Sequence, residues 1–189
     1  MCSTRYQHGA TMTESLVPHR RRTVFQGRIF AVGVESITLR CGHTLDAEIL
    51  RHAGSVVLVP VTDQGDVVLV RQYRPAIGRA VWELPAGSLE PGETPQIAAL
   101  RECHEEIGLI PSHIEELGGF FPTPGYSDEK MMFYRATGLR QPTDDDPAAV
   151  QDEDEDIESR AFPVQTIRQM IATGEMVDLK TVAALALIA

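Results

Sequence analysis

Residues 87–109 read GSLEPGETPQIAALRECHEEIGL. A loop rich in proline and glycine gives way here to a helical pattern that carries Glu102, Glu105 and Glu106. Thr94 suits the N-cap, Pro95 the first helical position, and Gly108 the left-handed residue that closes a helix. At roughly 100° per residue, Ile97, Leu100, Cys103 and Ile107 fall on one side of a helix over residues 94–107, and the three glutamates gather on the other. Residues three and four apart on a helix are neighbours, so these like charges repel. No lysine lies between Glu48 and Lys130 to relieve them. One reading is a solvated acidic face. The other is a seat for a cation, because crowded carboxylates either raise their pKa values or bind one. All-oxygen donors suit Mg²⁺ or Mn²⁺, and Mg²⁺ typically sits between a few carboxylates and substrate phosphates. The loop LPAGSLEPGE ahead of the helix offers backbone carbonyls as further ligands.

Upstream of this stretch, SVVLVPVT (residues 55–62) and DVVLVRQYR (residues 66–74) read as strands joined by the turn DQGD into a hairpin. The first is almost wholly apolar, as expected of a strand buried on both faces. Further upstream, TVFQGRIFAV, SITLR and TLDAEIL read as strands of a small N-terminal sheet. Downstream, IEELGGFF and KMMFYRATGL read as strands, followed by an acidic, proline-marked loop over residues 141–156. IESRAF then reads as a last strand, PVQTIRQMIATG as a helix, and DLKTVAALALIA as a final helix with Asp178 as its N-cap. Helices among mixed strands indicate an α/β or α+β domain. The expected organisation is a flexible tail over residues 1–22, an N-terminal β region over 23–52 and the main domain over 53–189. The basic run HRRR at residues 19–22 reads as a solvated stretch leading into the fold.

The chain has 189 residues, 43% of them hydrophobic, which suits one globular domain with a sizeable core. Its formal net charge of −10 repels a phosphate backbone and argues against general nucleic-acid binding. No apolar run reaches the length of a membrane span, and the N-terminal MCSTRYQHGATMTES lacks the apolar centre of a secretory signal. Cys2, Cys41 and Cys103 are an odd number with no CxxC pair. A disulfide framework or zinc knuckle is therefore not expected, and a reducing cytoplasm is. Cys41 and His43 in RCGHT are two lone ligands in a turn and read as structural. Trp82 reads as core, His104 as a partly buried edge residue, and residues 144–146 as solvated loop.

Gly87, Glu93, Arg101, Glu102, Glu105, Glu106 and Gly108 resemble the Nudix box: Gly, five residues, Glu, seven residues, then R-E-U-x-E-E-x-G-U, where U is a bulky aliphatic residue. Leu109 fills the last U. Cys103 departs at the first U but is still apolar. The resemblance extends over residues 23–189 and implies the Nudix fold, a mixed β-sheet sandwiched between helices, with the box forming loop–helix–loop. It implies that Glu102, Glu105 and Glu106 bind the metal, with the backbone carbonyl of Ala86 as a further ligand. It makes Arg101 and Glu93 an ion pair that orients the helix, so that Arg101 serves the reaction through geometry.

The same resemblance implies hydrolysis of a nucleoside diphosphate linked to another moiety, in which metal ions offset the repulsion between an acidic protein and an anionic substrate. Arg71 and Arg74 in RQYRP are candidates to meet the diphosphate. VRQYR followed by WELPAG resembles the ADP-ribose pyrophosphatase branch, as does Pro124, fifteen residues beyond Leu109 (124 − 109). The acidic run DEDEDIE resembles the loop that supplies this branch's catalytic carboxylate. Glu153 and Glu155 are therefore candidates for the base that activates water, on a segment able to act as a lid. Arg74 and Glu129 are implied to contact the nucleotide. Phe30 is a candidate to stack on adenine, with core packing as the alternative. The branch also implies a homodimer built on the N-terminal sheet, for which residues 23–50 supply the material. The expected reaction yields AMP and ribose 5-phosphate from ADP-ribose. Alternatives are another nucleotide sugar, a dinucleotide or FAD as substrate, or a module that binds a nucleotide without cleaving it.

Overall fold

The computed structural model describes residues 16–146, 148 and 157–188. The chain forms two compact units, one built on the chain through His52 together with Thr123–Asp128, the other on Ala53–Pro122 together with Glu129 onward. In the first unit, β1 (Arg20–Gln26), β2 (Phe30–Thr38) and β3 (Thr44–His52) form an antiparallel meander. The stretch read as one strand, TVFQGRIFAV, breaks in two. Gly27 donates its N–H to the Phe30 carbonyl at 2.9 Å, and a Cβ at Gly27 would stand 3.0 Å from that same oxygen and 2.9 Å from the Phe25 ring. The turn therefore needs a residue without a side chain. The first three residues of SITLR are the far end of β2, and the stretch is not a strand of its own. Arg20, Arg21 and Arg22 of the basic run are exposed, as expected, but they already belong to β1. The segment from Thr123 to Asp128 is tied to β3, where Asp128 takes the Arg51 guanidinium at 2.7 Å and the His52 N–H at 2.9 Å.

The second unit begins with β4 (Ser55–Pro60) and β5 (Val67–Arg74). A single 3-10 turn at Pro75–Ile77 leads to β6 (Arg79–Glu83), β7 (Ala86–Ser88) and α1 (Pro95–Ile107). Then follow β8 (Ile110–Phe120), β9 (Met131–Arg140), β10 (Glu158–Phe162), α2 (Val164–Thr173) and α3 (Leu179–Leu187). One sheet runs β7-β4-β9-β8, with β4 and β9 parallel and the other pairs antiparallel. The other runs β10-β5-β6 and is antiparallel throughout.

β4 is buried along its whole length, and its alternation explains the unbroken apolar run. Val57 and Val59 join Leu69, Leu84, Phe133, Ile167 and Met170 in a cluster on the α2 and α3 side. Val56 and Leu58 join Ala98, Ala99, Cys103 and Ile107 on the α1 side. Burying each such Val or Leu contributes about 1.5–3 kcal/mol. This is the expected arrangement of a mixed sheet between helices. The expected hairpin is not formed. The turn closes, with Thr62 N–H donating to Asp66 O at 2.9 Å and Gly65 at φ 82°, but pairing stops at one bridge between Val61 and Val67. β4 then hydrogen-bonds to β7 and β9, and β5 to β6 and β10. A strand buried on both faces can take partners on both edges, and here distant segments outcompete the local one. β6 and β7, absent from the sequence reading, occupy the AVWELPAGSLEPGE stretch that feeds α1.

Candidate active site

Helix α1 starts and stops as its sequence predicts. The Thr94 side chain accepts the Ile97 N–H at 3.4 Å, Pro95 is the first helical residue, and Gly108 sits at φ 68° with its N–H on the His104 carbonyl. Of the face expected to be buried, Cys103 and Ile107 are buried but Ile97 and Leu100 are not. Ile97 is 57% exposed and Leu100 40% exposed, whereas Ala98 and Ala99 are fully buried, Glu102 is 8% exposed and Glu106 6%. Ala98, Glu102 and Glu106 form one i, i+4 row, and Ala99, Cys103 and Ile107 the next. Two alanines let the helix backbone approach the sheet closely. That approach turns Ile97 and Leu100 outward and carries two glutamates inward, so the solvated-face reading fails for Glu102 and Glu106.

Charged side chains are almost never fully buried unless they are paired. The Glu106 carboxylate accepts the Ala86 N–H at 3.1 Å, joining α1 to β7. The Glu102 carboxylate lies on Gly87, where a Cβ would stand 1.7 Å from Oε1. The glycine of the motif is therefore a cradle for a carboxylate. Arg101 gathers the remaining acids. Its Nε and Nη2 grip Glu93 at 2.9 and 3.0 Å, and its Nη1 donates to Glu102 at 2.7 Å and to Glu105 at 2.8 Å. Nη2 also reaches the Ser88 carbonyl at 3.2 Å. The Arg101–Glu93 pair thus exists as the motif implies, and it ties the loop to the helix. The bond from Arg101 holds the Glu93 carboxyl below the usual carboxylate range, with burial opposing. Glu93 in turn raises the Arg101 guanidinium further above its ordinary value. Burial pushes the Cys103 thiol up to about 12, with Glu106 adding to the effect, which suits a packing role.

The donor set fits a hard divalent cation, since carboxylates and backbone carbonyls are the ligands such ions take. A cationic group already bridges Glu102 and Glu105 in the form of the Arg101 guanidinium. Among the described residues no three His, Cys, Asp or Glu side chains stand close enough to share an ion as they are placed. Arg101 draws two of the glutamates to one side, and Glu106 is turned onto Ala86.

The other predicted site residues are placed as follows. Arg74 donates its Nε–H to Glu83 at 2.7 Å. Burial is the largest single influence and lowers its pKa, but the bond and charge of Glu83 together with the charges of Glu106 and Asp178 outweigh it, and the net direction is up. Arg74 therefore lies within electrostatic reach of the glutamate helix. Arg71 is half exposed and stands 3.9 Å from Glu158 across the β5–β10 pair. Glu129 accepts the Ser55 hydroxyl at 2.8 Å, just ahead of β9. Phe30, in the first unit, is 38% exposed with its ring 6.0 Å from that of Phe25, so it is not a core residue. Glu153 and Glu155 lie outside the described residues. Trp82 packs edge-on against Phe162 at 4.9 Å, in keeping with a structural role, and His104 is buried. Asp146 is not simply solvated. It takes both Arg140 amino groups at 2.7 Å and the Thr143 N–H at 2.7 Å, which holds its carboxyl well below the usual range.

Two features were not legible in the sequence. One is the cluster of Arg74, Glu83, Asp178 and Lys180, which joins residues about a hundred positions apart (180 − 83 = 97). The other is a cavity of about 560 Å³ beside that cluster, walled by Ile77, Phe120, Phe121 and Leu179. Only the N-cap role of Asp178 carried a local signal.

Comparison with known proteins agrees with this geometry. The NUDIX domain family model matches residues 51–185. The chain is 32% identical to the ADP-ribose pyrophosphatase of Bacillus subtilis (strain 168), over 85% of each protein. It is 36% identical to the ADP-ribose pyrophosphatase of Mycobacterium tuberculosis, over 82% of this chain and 74% of that one. It is also 37% identical to the methanol dehydrogenase activator of Bacillus methanolicus, again over 85% of each. A crystal structure of an ADP compounds hydrolase superposes with a TM-score of 0.77 over 95% of both chains at 22% identity, a likeness of fold.

Proposed function

The chain belongs to the Nudix family, and on that premise we propose that it is a divalent-metal-dependent pyrophosphohydrolase of ADP-ribose or a closely similar nucleoside diphosphate sugar, yielding AMP and ribose 5-phosphate from ADP-ribose. The observation that carries the reading is the inward-turned pair Glu102 and Glu106, one cradled on Gly87 and the other held by the Ala86 N–H. A helix burying carboxylates at a cost in desolvation needs a reason, and a cation with a phosphate behind it supplies one.

Glu102, Glu105 and Glu106, with the Ala86 carbonyl, would hold Mg²⁺ or Mn²⁺. When bound, such a cation offsets diphosphate charge and lowers the pKa of water at the reacting phosphorus. The protein's own contributions are positional. Arg101 and Glu93 fix the loop and helix against each other. Arg74, and more peripherally Arg71, present guanidinium groups to phosphate oxygens. Glu129 contacts the nucleotide, and Phe30 offers an exposed ring for stacking. Glu153 or Glu155 is the base that accepts the proton of the attacking water. We assign the three-stranded N-terminal region to a homodimer contact and the protein to the cytoplasm. No helix among the described residues is long and apolar enough to cross a membrane.

Incubation with ADP-ribose and Mg²⁺ or Mn²⁺, with products separated by anion exchange, tests the reading. AMP and ribose 5-phosphate should appear with the wild type, and Glu106→Gln should lose most of the turnover. Absence of turnover by the wild type, or full activity in Glu106→Gln, rejects it. Ranking kcat/KM over ADP-ribose, other nucleotide sugars, dinucleotides and FAD identifies the preferred substrate. Size-exclusion chromatography with light scattering checks the dimer.

A further inference from the structure

Glu83 closes β6 with its side chain 4% exposed, and both of its oxygens face cations. Oε1 accepts Arg74 Nε–H at 2.7 Å, and Oε2 accepts the ammonium of Lys180. Lys180 is itself only 8% exposed and stands 3.2 Å from Asp178 Oδ1. The other Asp178 oxygen caps α3, taking the Thr181 N–H at 3.0 Å and its hydroxyl at 2.6 Å. The result is a chain of alternating charge, Arg74, Glu83, Lys180, Asp178, buried at its centre. Its outer end, Arg74, is 41% exposed.

We infer that Glu83 and Lys180 are positioning residues that fix the Arg74 guanidinium for the substrate diphosphate. The inference rests on the proposed role of Arg74. A guanidinium is planar, so fixing its Nε–H orients the fork that remains. Were Lys180 absent, the second Glu83 oxygen would be buried without its cationic partner, and the carboxylate would turn and release Arg74. Stability alone is a poor reason for such a cluster, because buried ion pairs are often matched or bettered by apolar side chains of the same volume. A pre-set phosphate contact is a better one, since misplacement of a binding group lowers rate directly. The same helix start is bolted to the chain beyond Glu83, with Leu84 N–H on the Thr181 hydroxyl at 2.9 Å. Two residues further on is Ala86, which holds Glu106. The start of α3 thus reaches both the arginine and the glutamate helix.

The test is a kinetic double-mutant cycle with ADP-ribose and saturating Mg²⁺. Lys180→Gln should lower kcat/KM by about tenfold or more, and Lys180→Arg, which keeps the charge, should recover most of it. In an Arg74→Ala background, Lys180→Gln should cost less than about twofold further, because the group it positions is gone. Glu83→Gln should behave like Lys180→Gln in both backgrounds, which covers the case of one variant failing to fold. Equal losses from Lys180→Gln and Glu83→Gln with and without Arg74 would reduce the cluster to a structural clamp and overturn the inference. So would full activity in the single variants. A wild type that turns over no diphosphate substrate would instead defeat the hydrolase reading, and this inference with it.

Discussion

The seating of the Glu102 carboxylate on Gly87 yields a prediction that separates activity from stability. A methyl group at position 87 would stand 1.7 Å from Glu102 Oε1, 1.9 Å from Cδ and 2.4 Å from Oε2. Gly87 does not have positive φ, so alanine is compatible with the backbone there. What must yield is the end of a flexible side chain. Restoring ordinary contact moves the carboxylate by about 1.5 Å, and a misplacement of about 1 Å at a reacting centre costs on the order of a hundredfold in rate. Gly87→Ala should therefore lose about a hundredfold in kcat/KM, or about 2.7 kcal/mol of transition-state stabilisation. Stability should hardly move. The change loosens one hydrogen bond between Arg101 and the buried Glu102 carboxylate, worth about 0.5–1.5 kcal/mol, and recovers about 0.4–1 kcal/mol by restricting the unfolded chain. The assays are steady-state hydrolysis of ADP-ribose across a Mg²⁺ titration and thermal unfolding by circular dichroism. The Mg²⁺ concentration for half-maximal rate should rise in the variant. Near-wild-type kinetics would refute the cradle. A large fall in Tm would place the cost in the backbone instead.

Three further predictions follow from the same geometry. Because the folded pKa of Glu93 lies below its ordinary value, its pairing with Arg101 stabilises the protein fully above about pH 4.5, and that stability is lost as pH falls through the folded value. Urea unfolding of the wild type should show this acid-side loss, and Glu93→Gln should be less stable at pH 7 with a shallower decline below pH 4.5. The rotation of α1 predicts that Ile97→Lys is tolerated within about 0.5 kcal/mol, whereas Ala99→Leu overpacks the interface with β4 and costs about 1–3 kcal/mol, both read by denaturant midpoints. The buried Cys103 thiol, raised to about 12, should resist alkylation at pH 8 in the native protein while exposed Cys41 reacts, and should react on unfolding; mass mapping of peptides distinguishes the two. Rapid labelling of Cys103 in the folded state would contradict its placement under the helix.

The local signals in the sequence were sufficient for whatever is settled within a few residues. Thr94, Pro95 and Gly108 bounded α1, and Asp178 began α3, because caps satisfy backbone groups one turn away. The unbroken apolar run of β4 told of a strand covered on both faces. The spacing of seven motif residues pointed to the family and to the Arg101–Glu93 pair, which spans a single loop. Periodicity placed Cys103 and Ile107 inward correctly but failed for Ile97 and Leu100, because it counts hydrophobicity and cannot see that Ala98 and Ala99 permit closer packing. It failed on the partners of β4 and β5, because a tight turn specifies proximity while register and pairing depend on strands far along the chain. The Glu83–Lys180 contact could only emerge when α3 docked beside β6. Chemistry carried by one helix and its loop was thus determined by the sequence alone; the burial of its carboxylates, and the electrostatic frame around Arg74, were decided by long-range packing.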